Sequence, residues 1–306
     1  MITEVQKAER VNYIGASDAA AVLGLSRWST PLEVWGLKTG NLQPKDLSDK
    51  LSVELGNELE DVVARLFTKR TGKKVYRVNE TVYHKEYPFI AANLDRRVVG
   101  EDAVLEIKTS GAWAAKSWEG EEIPQEVVIQ VMHQLAVTGK RFGYAACLIG
   151  GNMDFHIKTV ERDEEAIKQI ISREVDFWKQ FVEPKIMPTM ITKNDKDILG
   201  ELYPMGENEE PIKLGEDADV LLDLIEGYEV DSKALDGQID KAKNEILAML
   251  KERQVGFTDR WKVTYKDVVS RRIQTDKMKK EAPELYQQWS AESRARQLRS
   301  SKLKGK

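Results

Sequence analysis

Residues 89–110 read FIAANLDRRVVGEDAVLEIKTS, two apolar runs separated by a turn. Between Val104 and Lys108 the residues alternate, so Leu105 and Ile107 share one face of a strand while Glu106 and Lys108 share the other. Asp95 stands a short hairpin away from that polar pair. Two carboxylates beside an ammonium suit hard cations such as Mg2+ or Mn2+, which polarise a phosphate oxygen and lower the pKa of a bound water. The lysine would stabilise charge on the attacking hydroxide or on the phosphorane. By itself Glu-x-Lys is a common feature of solvated strand faces, so the neighbouring sequence has to carry the argument.

The chain has 306 residues, 41% of them hydrophobic, enough for one large domain or for a domain with an appendage. Its one cysteine, Cys147, excludes an internal disulfide framework and any four-cysteine zinc or iron-sulfur site within one chain, and points to a reducing compartment. The N-terminal MITEVQKAER has no apolar signal region, and no window approaches the roughly 20 apolar residues of a membrane span. A soluble, cytoplasmic protein without membrane partners is the expectation. The net charge of -4 conceals an uneven distribution. Residues 261–306 hold 13 Lys and Arg against 5 Asp and Glu, a basic tail on an acidic body. Such a body is tolerable where carboxylates await metal ions and local cations track phosphates.

Working outward, IGASDAAAVLGLSRWSTPLEVWGLKTG encodes two short helices, the first capped by Ser17 or Asp18 and ended by Gly24, the second opened by Thr30, Pro31 and Glu33. Leu51, Leu55, Leu59, Val62, Val63, Leu66 and Phe67 repeat at helical spacing, predicting an amphipathic helix over 50–71 that closes at Gly72, with Glu60 at the border of its stripe. Strands follow around 74–84, 88–99 and 103–109, then a helix from Pro124 to about Thr138. A hairpin turning at Gly150 to Asn152 and a helix from Asp163 to about Phe181 complete the module. Helices, strands, helix, hairpin and helix in that order suit an α/β fold, a mixed sheet flanked by helices. The expected organisation is a domain over 1–190, a linker or arm over 191–215, and a helical C-terminal appendage over 216–306. That appendage comprises a long helix from about Asp217 to Arg253, a hairpin turning near Asp259, a short helix at PELYQQWSAE and the basic tail. Ile225, Tyr228, Leu235, Ile239, Ala242, Ile246 and Met249 follow heptad spacing, and packing of this seam within its own domain is expected over self-association.

Five blocks in order, IGASDAAAVLGLSRWSTPLEVW, GNELEDVVARLFTKRTG, ANLDRRVV, VLEIKTS and IPQEVVIQVMHQLAVTG, resemble the YqaJ-type viral recombinase family. The resemblance covers residues 8–182, with a weaker likeness in the appendage. It implies the restriction-endonuclease-like, PD-(D/E)XK fold and a Mg2+-dependent exonuclease that resects one strand of duplex DNA from the 5′ end, leaving single strands for an annealing protein. Carried onto this sequence, it makes Asp95 and Glu106 metal ligands, with the Ile107 carbonyl and Glu60 as further ligands. Lys108 would orient or activate the attacking water, and Gln130 would support that lysine. Gln134 lies one turn after Gln130, and His133 is expected to pack or face solvent. The resemblance also implies that Arg10 and Ser17, seven positions apart, hold a terminal 5′ phosphate; a guanidinium and a helix N-terminus both suit that group. Ser17 serves equally as a plain N-cap. Trp28 and Trp35 are placed to stack on a DNA end, though core positions are commoner for such residues.

The family pattern further implies a bacterial host cell, duplex DNA ends as substrate and a homo-oligomer, in some members a trimeric ring. This chain departs from it at Arg96, where a glycine is frequent, and at Val128, where an aromatic is frequent. Neither departure removes a ligand. An endonuclease or repair nuclease of the same fold, and a non-catalytic DNA-end-binding or assembly module, are the alternatives.

Overall fold

Helices and short strands open the computed structural model, which describes residues 4–47, 49–151, 154–204, 210–292 and 298–301. They are α1 (Glu4–Glu9), β1 (Ile14–Gly15), α2 (Ala16–Val22) and α3 (Pro31–Thr39). The Thr30 hydroxyl accepts from the Glu33 N–H at 3.1 Å, and Pro31 occupies the first helical position, where a missing N–H forfeits no bond. The start of α2 departs from expectation. Gly15 is its N-cap, and Asp18, three residues on, accepts from the Gly15 N–H at 3.0 Å. Ser17 therefore lies inside the helix and is not its cap.

The amphipathic run folds as α4 (Leu51–Thr71), which ends where Gly72 takes a φ of 74°, a conformation that costs other residues energy. Only the later part of its stripe is buried. Val63 and Phe67 are fully enclosed, whereas Leu51 and Leu55 in the first turns are exposed.

The strands are β2 (Val75–Arg77), β3 (Val82–Tyr83), β4 (Ile90–Ala92), β5 (Arg96–Val98) and β6 (Ala103–Ser110). A 3-10 segment, Ala112–Trp118, leads to α5 (Gln125–Thr138), and β7 (Phe142–Ile149), β8 (Asp154–Glu161) and α6 (Glu164–Phe177) follow. The expected strands over 74–84 and 88–99 each break in two, and their halves join different sheets. A five-stranded sheet has the order β2-β5-β6-β7-β8, parallel only between β6 and β7, and a three-stranded sheet has the order β1-β4-β3. The crossing from β4 to β5 passes through Asn93. Its Oδ1 accepts from Gln6 Nε2 and Thr81 Oγ1, both at 2.9 Å, and its Nδ2 donates to the Tyr13 hydroxyl at 2.9 Å. These side-chain bonds hold the backbone where it leaves one ladder for the other. Asn152 of the predicted β7–β8 turn lies outside the described residues.

Helices cover both faces of the larger sheet. Leu105 and Ile107 pack with Val63, Ala64 and Phe67 of α4, while Val104 joins a cluster containing Val131 and Leu135 of α5. Enclosing side chains of this size stabilises by about 1.5–3 kcal/mol each, which fixes β6 between two helices. His133, expected to pack or to face solvent, is fully buried. One ring nitrogen contacts Glu174 of α6 at 2.8 Å and the other the Ala91 carbonyl at 2.9 Å.

The chain divides into two units, Met1–Glu207 and Asn208–Lys306. The segment expected to be an arm contains α7 (Lys196–Leu202), whose Ile198 is buried in one cluster with Trp35 and Phe177. Asp195 ties it further, accepting from the Thr30 hydroxyl at 2.5 Å. An apolar face on a short helix pulls this stretch onto the first unit, beyond residue 190. Residues 205–209 of the expected arm lie outside those described.

The second unit contains α8 (Glu216–Leu250), the antiparallel pair β9 (Val255–Phe257) and β10 (Lys262–Thr264), α9 (Thr275–Glu281) and α10 (Pro283–Trp289). The expected packing of the α8 seam is absent among the described residues. Ile225, Tyr228, Leu235, Ile239, Ile246 and Met249 are exposed, and Leu250, set against Gly256, is the buried residue of the helix. A two-stranded hairpin and two short helices offer too little surface to cover a helix of 35 residues. Residues 293–297 and 302–306 of the basic tail lie outside the described residues. No described helix is long and apolar enough to cross a membrane.

Candidate active site

Pairing between β5 and β6 stops at Arg96 opposite Leu105. Just beyond, the Asp95 side chain replaces the missing strand, its Oδ2 accepting from the Ile107 backbone N–H at 2.8 Å. This is how a break in a strand delivers a carboxylate to its neighbour. On β6, Glu106 is almost fully enclosed while Lys108 keeps a third of its side chain exposed, and their charged ends lie 2.8 Å apart.

The glutamines of α5 complete the cluster. Lys108 Nζ donates to Gln130 Oε1 at 2.8 Å, and Gln130 Nε2 donates to Glu106 Oε1 at 2.7 Å, so the three side chains close a ring. Gln134 Nε2 donates to the other oxygen, Glu106 Oε2, at 2.6 Å. Residues four apart lie above one another on a helix, so two amides reach both oxygens of one carboxylate. The position of Gln134 was legible from that spacing; its bond to Glu106 was not.

Electrostatics follow from enclosure. Burial, then repulsion from Glu106, pushes the Asp95 carboxyl up to about 8. For Lys108, burial works to lower the pKa, but Glu106 and then Asp95 outweigh it and the pKa is raised. The raised pKa favours the charged ammonium at neutral pH. Buried Cys147, raised to about 12 by its enclosure, remains a thiol beside it.

Glu60, expected as a further ligand, lies close enough to Asp95 to act on its charge and is bonded to Arg96. Its Oε1 accepts from Arg96 Nη1 at 2.5 Å, while Arg96 Nη2 donates to Asp61 Oδ1 at 2.6 Å. Arg96 Nη1 also donates to the Asp95 carbonyl at 2.6 Å. The residue that departs from the family pattern thus occupies Glu60 and joins it to the backbone of Asp95. Burial acts to raise the Glu60 pKa, but hydrogen bonds and charge, those of Arg96 among them, bring it below the ordinary value. Arg96 also lines a surface groove of about 470 Å3 with Arg65, Lys69 and Arg77.

Among the described residues no three His, Cys, Asp or Glu side chains converge as a metal cluster. The donor set nevertheless fits Mg2+ or Mn2+. Asp95 and Glu106 supply hard oxygens enclosed together with mutual repulsion, and Mg2+ is commonly held by one or two carboxylates with water and substrate oxygens filling the rest.

Arg10 and Ser17 are brought together, Arg10 Nη2 donating to Ser17 Oγ at 2.6 Å and to Asp18 Oδ1 at 3.2 Å. Lys38, which the sequence did not single out, donates to Asp18 Oδ2 and to the Arg10 carbonyl, both at 2.7 Å. Trp35 is core, its Nε1 donating to the Phe181 carbonyl at 3.0 Å. Trp28, for which a core position was the commoner expectation, is 71% exposed.

The sheet order, the helices on both faces and the strand break at Asp95 define an α/β protein of the restriction-endonuclease-like fold. That fold is shared with the crystal structure of an alkaline exonuclease, LHK-Exo, from Laribacter hongkongensis, which is 21% identical at a TM-score of 0.51 over 60% of this chain and 94% of that one. The structure of LHK-Exo in complex with dAMP aligns at 23% identity with a TM-score of 0.52 over the same shares. Residues 7–141 match the YqaJ-like viral recombinase domain. The uncharacterized protein YqaJ of Bacillus subtilis (strain 168) is 38% identical over 296 residues, 95% of this chain and 91% of the relative. The chain belongs to the YqaJ-like viral recombinase family.

Proposed function

We propose that the chain is a Mg2+-dependent exonuclease that resects linear double-stranded DNA from the 5′ end, leaving single strands for an annealing protein. The observation that carries this reading is the ring of Glu106, Lys108 and Gln130 with Asp95 bonded into the same strand. The alkaline exonuclease with the same fold is in keeping with an exonuclease reading.

Asp95 and Glu106, with the Ile107 carbonyl, are the groups that would hold Mg2+ or Mn2+. When bound, the cation supplies Lewis acidity at a phosphate oxygen and lowers the pKa of a water. Gln130 and Gln134 hold the Glu106 carboxylate in one orientation, and Gln130 also fixes the Lys108 ammonium. The water oxygen bonds to phosphorus as the P–O3′ bond breaks, its proton passing to solvent and the 3′ oxygen taking one up from solvent, while Lys108 donates toward the attacking oxygen and offsets negative charge. Arg10 and Ser17 offer a guanidinium and a hydroxyl to a terminal 5′ phosphate. Glu60 contributes through Arg96, to which it is bonded.

The test is incubation of the full chain with Mg2+ and linear duplex labelled at the 5′ or 3′ end, beside closed circular duplex. Loss of the 5′ label as mononucleotide with intact circles is expected. Cutting of circles would assign an endonuclease. Asp95→Asn, Glu106→Gln and Lys108→Ala should each lower the rate by about 10² or more with the fold intact. Near wild-type turnover by the first two would reject the site.

A further inference from the structure

Two tryptophans of the first unit stand in solvent and touch each other. Trp28 is 71% exposed and Trp113 is 65% exposed, and their ring centroids lie 5.9 Å apart at an interplanar angle of 64°. Trp35 and Trp118, by contrast, are buried. A Trp side chain has more apolar surface to hide than any other, so two left together at the surface mark a binding face.

Their attachment points connect them to the active site. Trp113 lies in the 3-10 segment just after β6, the strand that carries Glu106 and Lys108. Its ring folds back over Gly111, where a Cβ would come within 2.8 Å of Trp113 Nε1, so the glycine leaves room for that position. Trp28 lies in the loop between α2 and α3. Its backbone N–H donates to Ser26 Oγ at 3.1 Å, and the preceding Arg27 N–H donates to Glu126 Oε1 at 2.8 Å. Glu126 lies in the first turn of α5, one turn before Gln130. One tryptophan is thus anchored to the end of the catalytic strand and the other to the start of the catalytic helix.

We propose that Trp28 and Trp113 form a stacking platform for an unpaired nucleobase of the DNA strand at the active site. The proposal rests on the nuclease reading above. Bases inside a duplex already have their faces covered, so exposed indole faces select a base that has left the stack. Phosphate attraction is not what distinguishes this surface: Arg27 and Lys116 flank the pair, but Glu119, Glu121 and Glu122 follow close behind. Aromatic surface is the feature that sets it apart, and its ligand is therefore a base face, read without sequence preference.

The test measures binding by fluorescence anisotropy of the full chain, in EDTA so that no strand is cut. The probes are a labelled oligothymidine, an abasic strand of equal length and charge, and a blunt duplex. Wild-type protein should prefer the oligothymidine to the abasic strand. Trp28→Ala and Trp113→Ala should each weaken oligothymidine binding about tenfold, and the matching Phe variants should retain most of it. Blunt-duplex affinity should change less. Circular dichroism melts establish that the variants fold, and the wild-type abasic comparison requires no variant. Equal wild-type affinity for the two strands, or unchanged affinity in folded Ala variants, would overturn the platform and leave the surface to a protein partner. A parallel assay of duplex degradation with Mg2+ separates the two failures, since an inactive wild-type protein that still prefers bases would reject the nuclease reading and keep the stacking site.

Discussion

Arg96 Nη1 donates to Glu60 Oε1 at 2.5 Å, with 4% of the Arg96 side chain and 11% of the Glu60 side chain exposed. A guanidinium thus stands between the α4 carboxylate and Asp95. Removing one member of an enclosed pair withdraws compensating charge from the other while the cost of its enclosure stays, and that sets the weight of the contact.

Arg96→Ala should destabilise the folded protein by about 3 kcal/mol, the low end for a buried pair, because Asp61 on the same guanidinium is open to solvent. Arg96→Ala with Glu60→Gln should recover part of that loss. Urea melts of the two single variants and the double variant form the cycle. Strictly additive losses would show that the contact carries no coupling.

The second prediction concerns pH in the metal-free protein. Asp95 is raised to about 8 from an ordinary 3.8, so between those values the folded state holds a proton that the unfolded chain releases. Folding stability should therefore fall as pH rises through that window. Asp95→Asn should remove this contribution and be more stable than wild type near the upper end. Denaturation in EDTA at about pH 5 and about pH 8.5 measures it. An identical slope in wild type and variant would place the titration elsewhere. Added Mg2+ should restore wild-type stability at the higher pH, because the cation competes with the proton for the same oxygens.

Arg10→Ala should erase most of the preference for a 5′ phosphate over a 5′ hydroxyl on linear duplex. A charge-assisted contact of this kind is worth roughly 1.5–3 kcal/mol, or about tenfold or more in specificity. Comparing kcat/KM for the two ends is the measurement. Equal slowing on both ends would move the phosphate pocket away from the Arg10–Ser17 contact.

Truncation distinguishes the role of α7 from that of the second unit. A chain of residues 1–207 should keep metal-dependent cleavage, since every proposed ligand lies within it. A chain of residues 1–190 should melt earlier, having lost Ile198 from its cluster and Asp195 from Thr30. Removing the second unit should also reduce the salt dependence of DNA binding, because residues 261–306 carry the surplus of Lys and Arg. An unchanged salt slope with lost association to an annealing protein would assign that unit to protein contacts.

Local chemistry wrote much of the fold into the chain. Helical periodicity ending in glycine predicted α4, and Gly72 does end it in the left-handed conformation, as Gly139 ends α5. Alternation predicted the opposed faces of β6, because strand geometry repeats every two residues whatever surrounds it. The association of Asp95, Glu106, Lys108 and Gln130 was legible through the resemblance of whole blocks. Other features depended on tertiary structure. Nothing local distinguishes a strand over 88–99 from two strands in separate sheets; the bonds of Asn93 to Gln6, Thr81 and Tyr13 hold the crossing, and those partners are distant in the chain. The same holds for Arg96, whose bond to Glu60 joins a strand to a helix, and for Trp28, which meets Trp113 at the surface instead of entering the core. Sequence spacing sets which residues share a face of one element, whereas sheet order and helix packing decide which faces meet.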